Sequence, residues 1–123
     1  MNNKKILLID DHLDHLKMMK QMLERYRWES VTVDSAEEAE FIMEWHNDFQ
    51  AIITDLKMPW VDGVEFCKNT KLKHPDLKIY ALSGNLQSYK KNLNHAGFDG
   101  IYQKPVMLEM IENILNDIEK KFV

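Results

Sequence analysis

Strand-length apolar runs recur about five times along this chain, and a segment of helical period follows each one. Parallel neighbours cannot be joined by tight hairpins, so this alternation predicts an α/β fold: a doubly wound parallel sheet with helices packed on both faces. The runs are "KILLID" (Lys5–Asp10), "SVTV" (Ser30–Val33), "AIITD" (Ala51–Asp55), "KIYALS" (Lys78–Ser83) and "IYQKP" (Ile101–Pro105). Pro105 closes the last, because proline cannot extend a strand interior. A first helix is expected from about His12 to Arg27, with Leu13, Leu16, Met19 and Leu23 on one face. "SAEE" (Ser35–Glu38) has capping-box spacing and starts a second helix that runs to about His46. A third is expected over Val64–Leu72 and a polar fourth near Leu86–His95, broken at Gly97. The fifth runs over Leu108–Lys120, with Leu108, Ile111, Leu115 and Ile118 on one face.

A chain of 123 residues is long enough to bury a core without a disulfide or structural metal, and two domains would each be implausibly small. No repeat, linker or low-complexity stretch divides it, so the expectation is one domain over residues 1–123 with no output domain. Cys67 has no partner for an internal disulfide and no evident activating group, which suits a reduced setting. No apolar run approaches the roughly 18 to 20 residues that span a bilayer, and acidic residues follow "MNNKKILLIDD" too soon for a signal peptide. A cytoplasmic protein is expected, with no membrane association. The formal net charge of −4, with scattered lysines, argues against direct nucleic-acid binding.

In an open doubly wound sheet the ligand site lies beyond the carboxyl ends of the strands. Asp10 and Asp11 stand at the end of the first strand, Asp55 at the third, Ser83 at the fourth and Lys104 at the fifth. Each has a plain alternative: a helix-capping acid, a turn serine, a surface lysine. Together they suggest one site. Crowded carboxylates raise one another's pKa unless a cation joins them, and hard oxygen donors suit Mg²⁺. A carboxylate at Asp55 beside that ion, with an amine and a hydroxyl nearby, is equipment for phosphoryl transfer to aspartate.

The motifs "LLIDDH", "ITDLKMPWVDG", "YALSG" and "YQKP", in this order and spacing over essentially the whole chain, resemble the receiver domains of two-component response regulators. The resemblance implies a flavodoxin-like sheet of strand order 2-1-3-4-5 with five helices. It implies a signalling switch or phosphorelay intermediate, not an enzyme, phosphorylated on Asp55 by a sensor histidine kinase or histidine phosphotransfer protein. Asp11, Asp55 and the Lys57 backbone carbonyl would ligate Mg²⁺ directly, and Asp10 through water. Ser83 would hydrogen-bond the phosphoryl group, Lys104 would pair with it, and the Lys104–Pro105 bond would be cis. A downstream protein target is implied, and a face containing Tyr89, Lys90, Lys91 and Tyr102 is either the interface of a phosphorylation-linked dimer or ordinary surface.

Two positions depart from the family's pattern. Ile101 stands where a switch aromatic is usual, and Tyr102, its strand neighbour, should face the other way. Trp60 replaces a smaller residue, as a partner anchor or a loop aromatic over Pro59. Lys57 and Asn85 flank the expected path of a hydrolytic water and are candidates for setting the phosphoaspartate lifetime. His12, His15 and Asp14 are read as the solvated first turn of a helix without metal chemistry, with Asp11 and Asp14 as a capping pair. His46, His74 and His95 are read as helix ends, and the eight methionines as core filling. Competing functions are an aspartate-nucleophile phosphatase of haloacid-dehalogenase type, a flavin module and an adaptor that is never phosphorylated. The phosphatase would need Asp-x-Asp after the first strand, and the flavin module a small-residue phosphate loop.

Overall fold

The structure is a computed structural model, and it describes residues 4–57, 63–84 and 97–120. The elements run β1 (Lys5–Ile9), α1 (Leu13–Glu24), β2 (Glu29–Val33), α2 (Ala36–Trp45), β3 (Ala51–Asp55), α3 (Gly63–Lys73), β4 (Lys78–Ser83), β5 (Gly100–Gln103) and α4 (Leu108–Glu119). The five strands form one parallel sheet of order β2-β1-β3-β4-β5, as expected. The helix expected near Leu86–His95, and Trp60 in the loop after β3, lie outside the described residues.

Alternation along the strands divides the core into two layers. Leu7, Ile9, Ile52, Ile79 and Ala81 face one side, where Ala36, Ala39 and Met43 of α2 and Val64, Phe66 and Cys67 of α3 cover them. Ile6, Leu8, Ile53, Tyr80 and Leu82 face the other, covered by Leu16, Met19 and Leu23 of α1 and by Met110, Ile111, Ile114, Leu115 and Ile118 of α4. Because β1, β3 and β4 are covered on both faces, their sequences read as continuous apolar runs rather than as alternating ones.

The helix ends differ from expectation for local reasons. Leu13, assigned to the buried face of the first helix, is exposed, and burial on that face begins at Leu16. That helix stops at Glu24: the N–H groups of Tyr26 and Trp28 both return to the Leu23 carbonyl, with Arg27 in the left-handed region at φ 63°. In α4 the apolar face also takes in Met110 and Ile114, while Leu108 is half-buried. Ser35 caps α2 as expected, its hydroxyl accepting from the Glu38 N–H at 3.1 Å. β5 is shorter than the "IYQKP" run and ends at Gln103, leaving Lys104 and Pro105 beyond it, joined by a cis bond.

Registry brings the strand ends level. Ile9 pairs with both Val33 and Thr54, Asp55 with Leu82, and Ser83 with Gln103. The residues that follow these positions therefore share one rim.

Candidate functional site

β1 and β3 are adjacent, so their terminal acids meet at the centre of that rim. Asp10 prolongs β1 by one bond, its N–H donating to the Val33 carbonyl at 3.2 Å, and is completely buried. Its Oδ1 accepts from the His12 backbone N–H at 2.9 Å and lies 3.1 Å from His12 Nδ1. Its Oδ2 lies 3.2 Å from His15 Nδ1 and 3.6 Å from Lys104 Nζ. Burial pushes this carboxyl's pKa up, but the His12 N–H, the Lys104 charge and the two imidazoles together outweigh it, leaving the group below its ordinary value.

Asp55 is also buried. Its Oδ1 accepts from the Lys57 N–H at 3.2 Å, and its Oδ2 from Lys104 Nζ at 3.0 Å. Lys104 thus reaches both acids. Its backbone is fixed at the end of β4, where its N–H donates to the Ser83 carbonyl at 2.8 Å. Ser83 is buried on the strand next to Asp55. Asp11 turns outward, with its Oδ1 3.0 Å from His12 Nδ1. One donor atom each from Asp10, Asp11, Asp55 and His12 falls within a 4.8 Å spread. Three carboxylates at that spacing offer the hard oxygen set that Mg²⁺ takes, with room for water at its other positions.

The imidazoles add contacts that the sequence did not announce. His12 and His15, read from the sequence as carrying no chemistry, both turn Nδ1 toward Asp10, while Asp14 is exposed. The N-cap of α1 is His12, with no side-chain cap bond, so the expected capping pair of Asp11 and Asp14 does not form. A buried carboxylate draws whatever donors the first helical turn offers, and a three-residue spacing puts both rings on the same side of it. By contrast, Ile101 and Tyr102 do face opposite ways: Ile101 packs on the α2 and α3 side, Tyr102 on the α1 and α4 side. Asn85, Tyr89, Lys90, Lys91 and His95 lie outside the described residues.

The arrangement has known counterparts. The response regulator receiver domain family matches residues 6–116. The two-component response regulator ORR26 of Oryza sativa subsp. japonica is 28% identical over 120 residues, covering 95% of this chain and 20% of that protein, so the chain spans about a fifth of its length. The peroxide stress-activated histidine kinase mak1 of Schizosaccharomyces pombe is 30% identical over 124 residues, covering 92% of this chain and 7% of the kinase. The crystal structure of a response regulator receiver domain protein from Clostridium thermocellum superposes with a TM-score of 0.85 at 30% identity, covering 95% of each chain. With the matched sheet order and acidic pocket, these findings establish that the chain belongs to the response regulator receiver domain family, phosphoacceptor signalling modules rather than classical enzymes.

Proposed function

We propose that this protein is a signalling switch whose Asp55 accepts a phosphoryl group from the phosphohistidine of a sensor histidine kinase or histidine phosphotransfer protein. The observation that carries this reading is the pairing of Lys104 Nζ with Asp55 Oδ2 at 3.0 Å beside the fully buried carboxylate of Asp10. An Asp55 carboxylate oxygen attacks phosphorus, the P–N bond to the donor imidazole breaks, and the imidazole leaves neutral, its other nitrogen having taken a proton from solvent. Lys104 follows the charge from the carboxylate to the phosphoryl oxygens, and the Ser83 hydroxyl donates to another of them. Asp11, Asp55 and the Lys57 carbonyl would hold Mg²⁺ directly, and Asp10 would hold it through water. That ion, when bound, neutralises charge on the transferring oxygens. Lys57 and Asn85 set how readily water reaches the product. Phosphorylation shifts a two-state equilibrium and changes the surface offered to a downstream protein.

Incubation with a small-molecule phosphodonor, with and without Mg²⁺, tests the reading. The expected result is a hydroxylamine-sensitive, acid-stable mass increase of one phosphoryl group that depends on Mg²⁺. Absence of the increase, or its persistence in Asp55→Asn, overturns the assignment and leaves an adaptor that is never phosphorylated.

A further inference from the structure

His12 and His15 have no task in phosphoryl transfer to Asp55, yet both rings face the same buried acid. Their centroids stand 4.8 Å apart at an interplanar angle of 36°. His12 Nδ1 lies 3.1 Å from Asp10 Oδ1 and 3.0 Å from Asp11 Oδ1, and His15 Nδ1 lies 3.2 Å from Asp10 Oδ2. One donor atom each from Asp10, His12 and His15 falls within a 4.8 Å spread. Donors about 2.0–2.1 Å from a tetrahedral ion stand roughly 3.3–3.4 Å from one another, close to the 3.1 and 3.2 Å that separate each imidazole nitrogen from its own Asp10 oxygen. The helix start supplies both nitrogens from a single turn, and the interior of the sheet fixes the carboxylate. Both histidines are partly open to solvent, side-chain exposure being 61% for His12 and 40% for His15, which leaves room for a water ligand.

The donor chemistry is not that of the oxygen-only pocket. Mg²⁺ seeks carboxylates, carbonyls and water, whereas imidazole nitrogen suits Zn²⁺ and its first-row neighbours. We propose that Asp10, His12 and His15, with Asp11 at the margin, bind a divalent transition ion of the Zn²⁺ or Co²⁺ class at a site that shares Asp10 with the Mg²⁺ pocket. This goes beyond the phosphoacceptor reading and does not depend on it, because it concerns equilibrium binding by residues other than Asp55.

The test is titration of the full chain with Zn²⁺ alone and with Mg²⁺ alone, for the wild type, His12→Gln, His15→Gln and Asp14→Asn. Each histidine variant is expected to lose roughly tenfold or more in Zn²⁺ affinity, as one of three or four ligands goes, while its Mg²⁺ affinity stays within about twofold. Asp14→Asn should match the wild type for both ions. With Co²⁺, ring resonances of two histidines should be paramagnetically shifted. Unchanged Zn²⁺ affinity in both histidine variants overturns the proposal. So does an equal fall in Mg²⁺ affinity, which would mean that the imidazoles only hold Asp10 in place.

Discussion

Gly63→Ala tests whether close approach of two backbones fixes α3 against the end of β3. A Cβ at Gly63 would stand 2.8 Å from Leu56 Cα, 2.9 Å from the Leu56 oxygen and 3.0 Å from the Asp55 oxygen. Carbon atoms in contact rest about 3.5–4.0 Å apart, so roughly 0.7 Å or more must be found between two stretches of main chain. Neither yields easily: the Leu56 N–H donates to Leu82 at 3.0 Å and its carbonyl accepts from Gly63 at 2.9 Å, while Val64, Phe66, Cys67 and Thr70 anchor α3. Overpacking of this kind costs about 1–3 kcal/mol. Alanine returns up to about 1 kcal/mol through helix preference and a less disordered unfolded chain. The net is a loss of roughly 1–2 kcal/mol, or about 4–8 °C in Tm for a chain of this size. Gly84→Ala is the control, since among the described residues a Cβ there meets nothing within 4 Å. Urea and thermal unfolding of the two variants should separate them, with Gly84→Ala within about 0.5 kcal/mol of wild type. Mg²⁺ affinity should also fall in Gly63→Ala, because the displaced chain carries Asp55 and Lys57. A Gly63→Ala protein as stable as wild type would refute the reasoning.

Mg²⁺ should raise Tm by mass action, by about 2.7 kcal/mol of stability at one hundred times its dissociation constant, and the rise should vanish in Asp10→Asn/Asp11→Asn. An unchanged wild-type Tm in calorimetry would contradict the metal assignment. Asp10, with its folded pKa lowered, contributes stability that is present above its unfolded value of about 3.9 and lost as pH falls through the lower folded one. Lys104→Met removes a charge that holds this pKa down, so acid unfolding should move to higher pH; a midpoint at or below that of wild type speaks against the ion pairs. Cys67 is buried in the α3 packing and its thiol is pushed up to about 12 by burial. It should resist a thiol reagent in native buffer and react fully in denaturant, and fast native labelling would show that α3 opens.

How legible the fold was follows from what sets each element. β3 and β4 were read to the residue, because strands buried on both faces leave unbroken apolar runs bounded by polar residues. β5, half-buried at the sheet edge, was misplaced by one residue at its start and two at its end, since an edge strand carries less apolar signal. The acids, Ser83 and Lys104 were legible because a parallel sheet delivers the residue after each strand to one rim. The histidines were not, because side-chain direction in a first helical turn depends on what lies opposite. Here that is Asp10, a residue whose complete burial no spacing rule announces. The close approach at Gly63 was not legible, because Leu56 is brought against it only by the fold.

The site's charge balance bears on how a switch could run through this chain. Lys104 is already engaged by Asp55 at 3.0 Å and Asp10 at 3.6 Å, so a phosphoryl group on Asp55 does not recruit a free amine but takes one from existing partners. Asp10 would then keep its two imidazoles and the His12 N–H as compensation, which lets Lys104 shift without stranding a buried charge. On the neighbouring strand, the backbone N–H of Lys104 is tied to Ser83, so movement of the amine is felt where β4 and β5 pair. Three residues earlier Ile101 faces the α2 and α3 side, and it has neither a ring nor a polar tip to exchange between core and solvent. Any response along β5 at this position is therefore a repacking within the apolar layer under α2 and α3, where Ile101 pairs with Ala81. Tyr102, on the opposite face and packed with Tyr80 and α4, is insulated from it by the sheet itself.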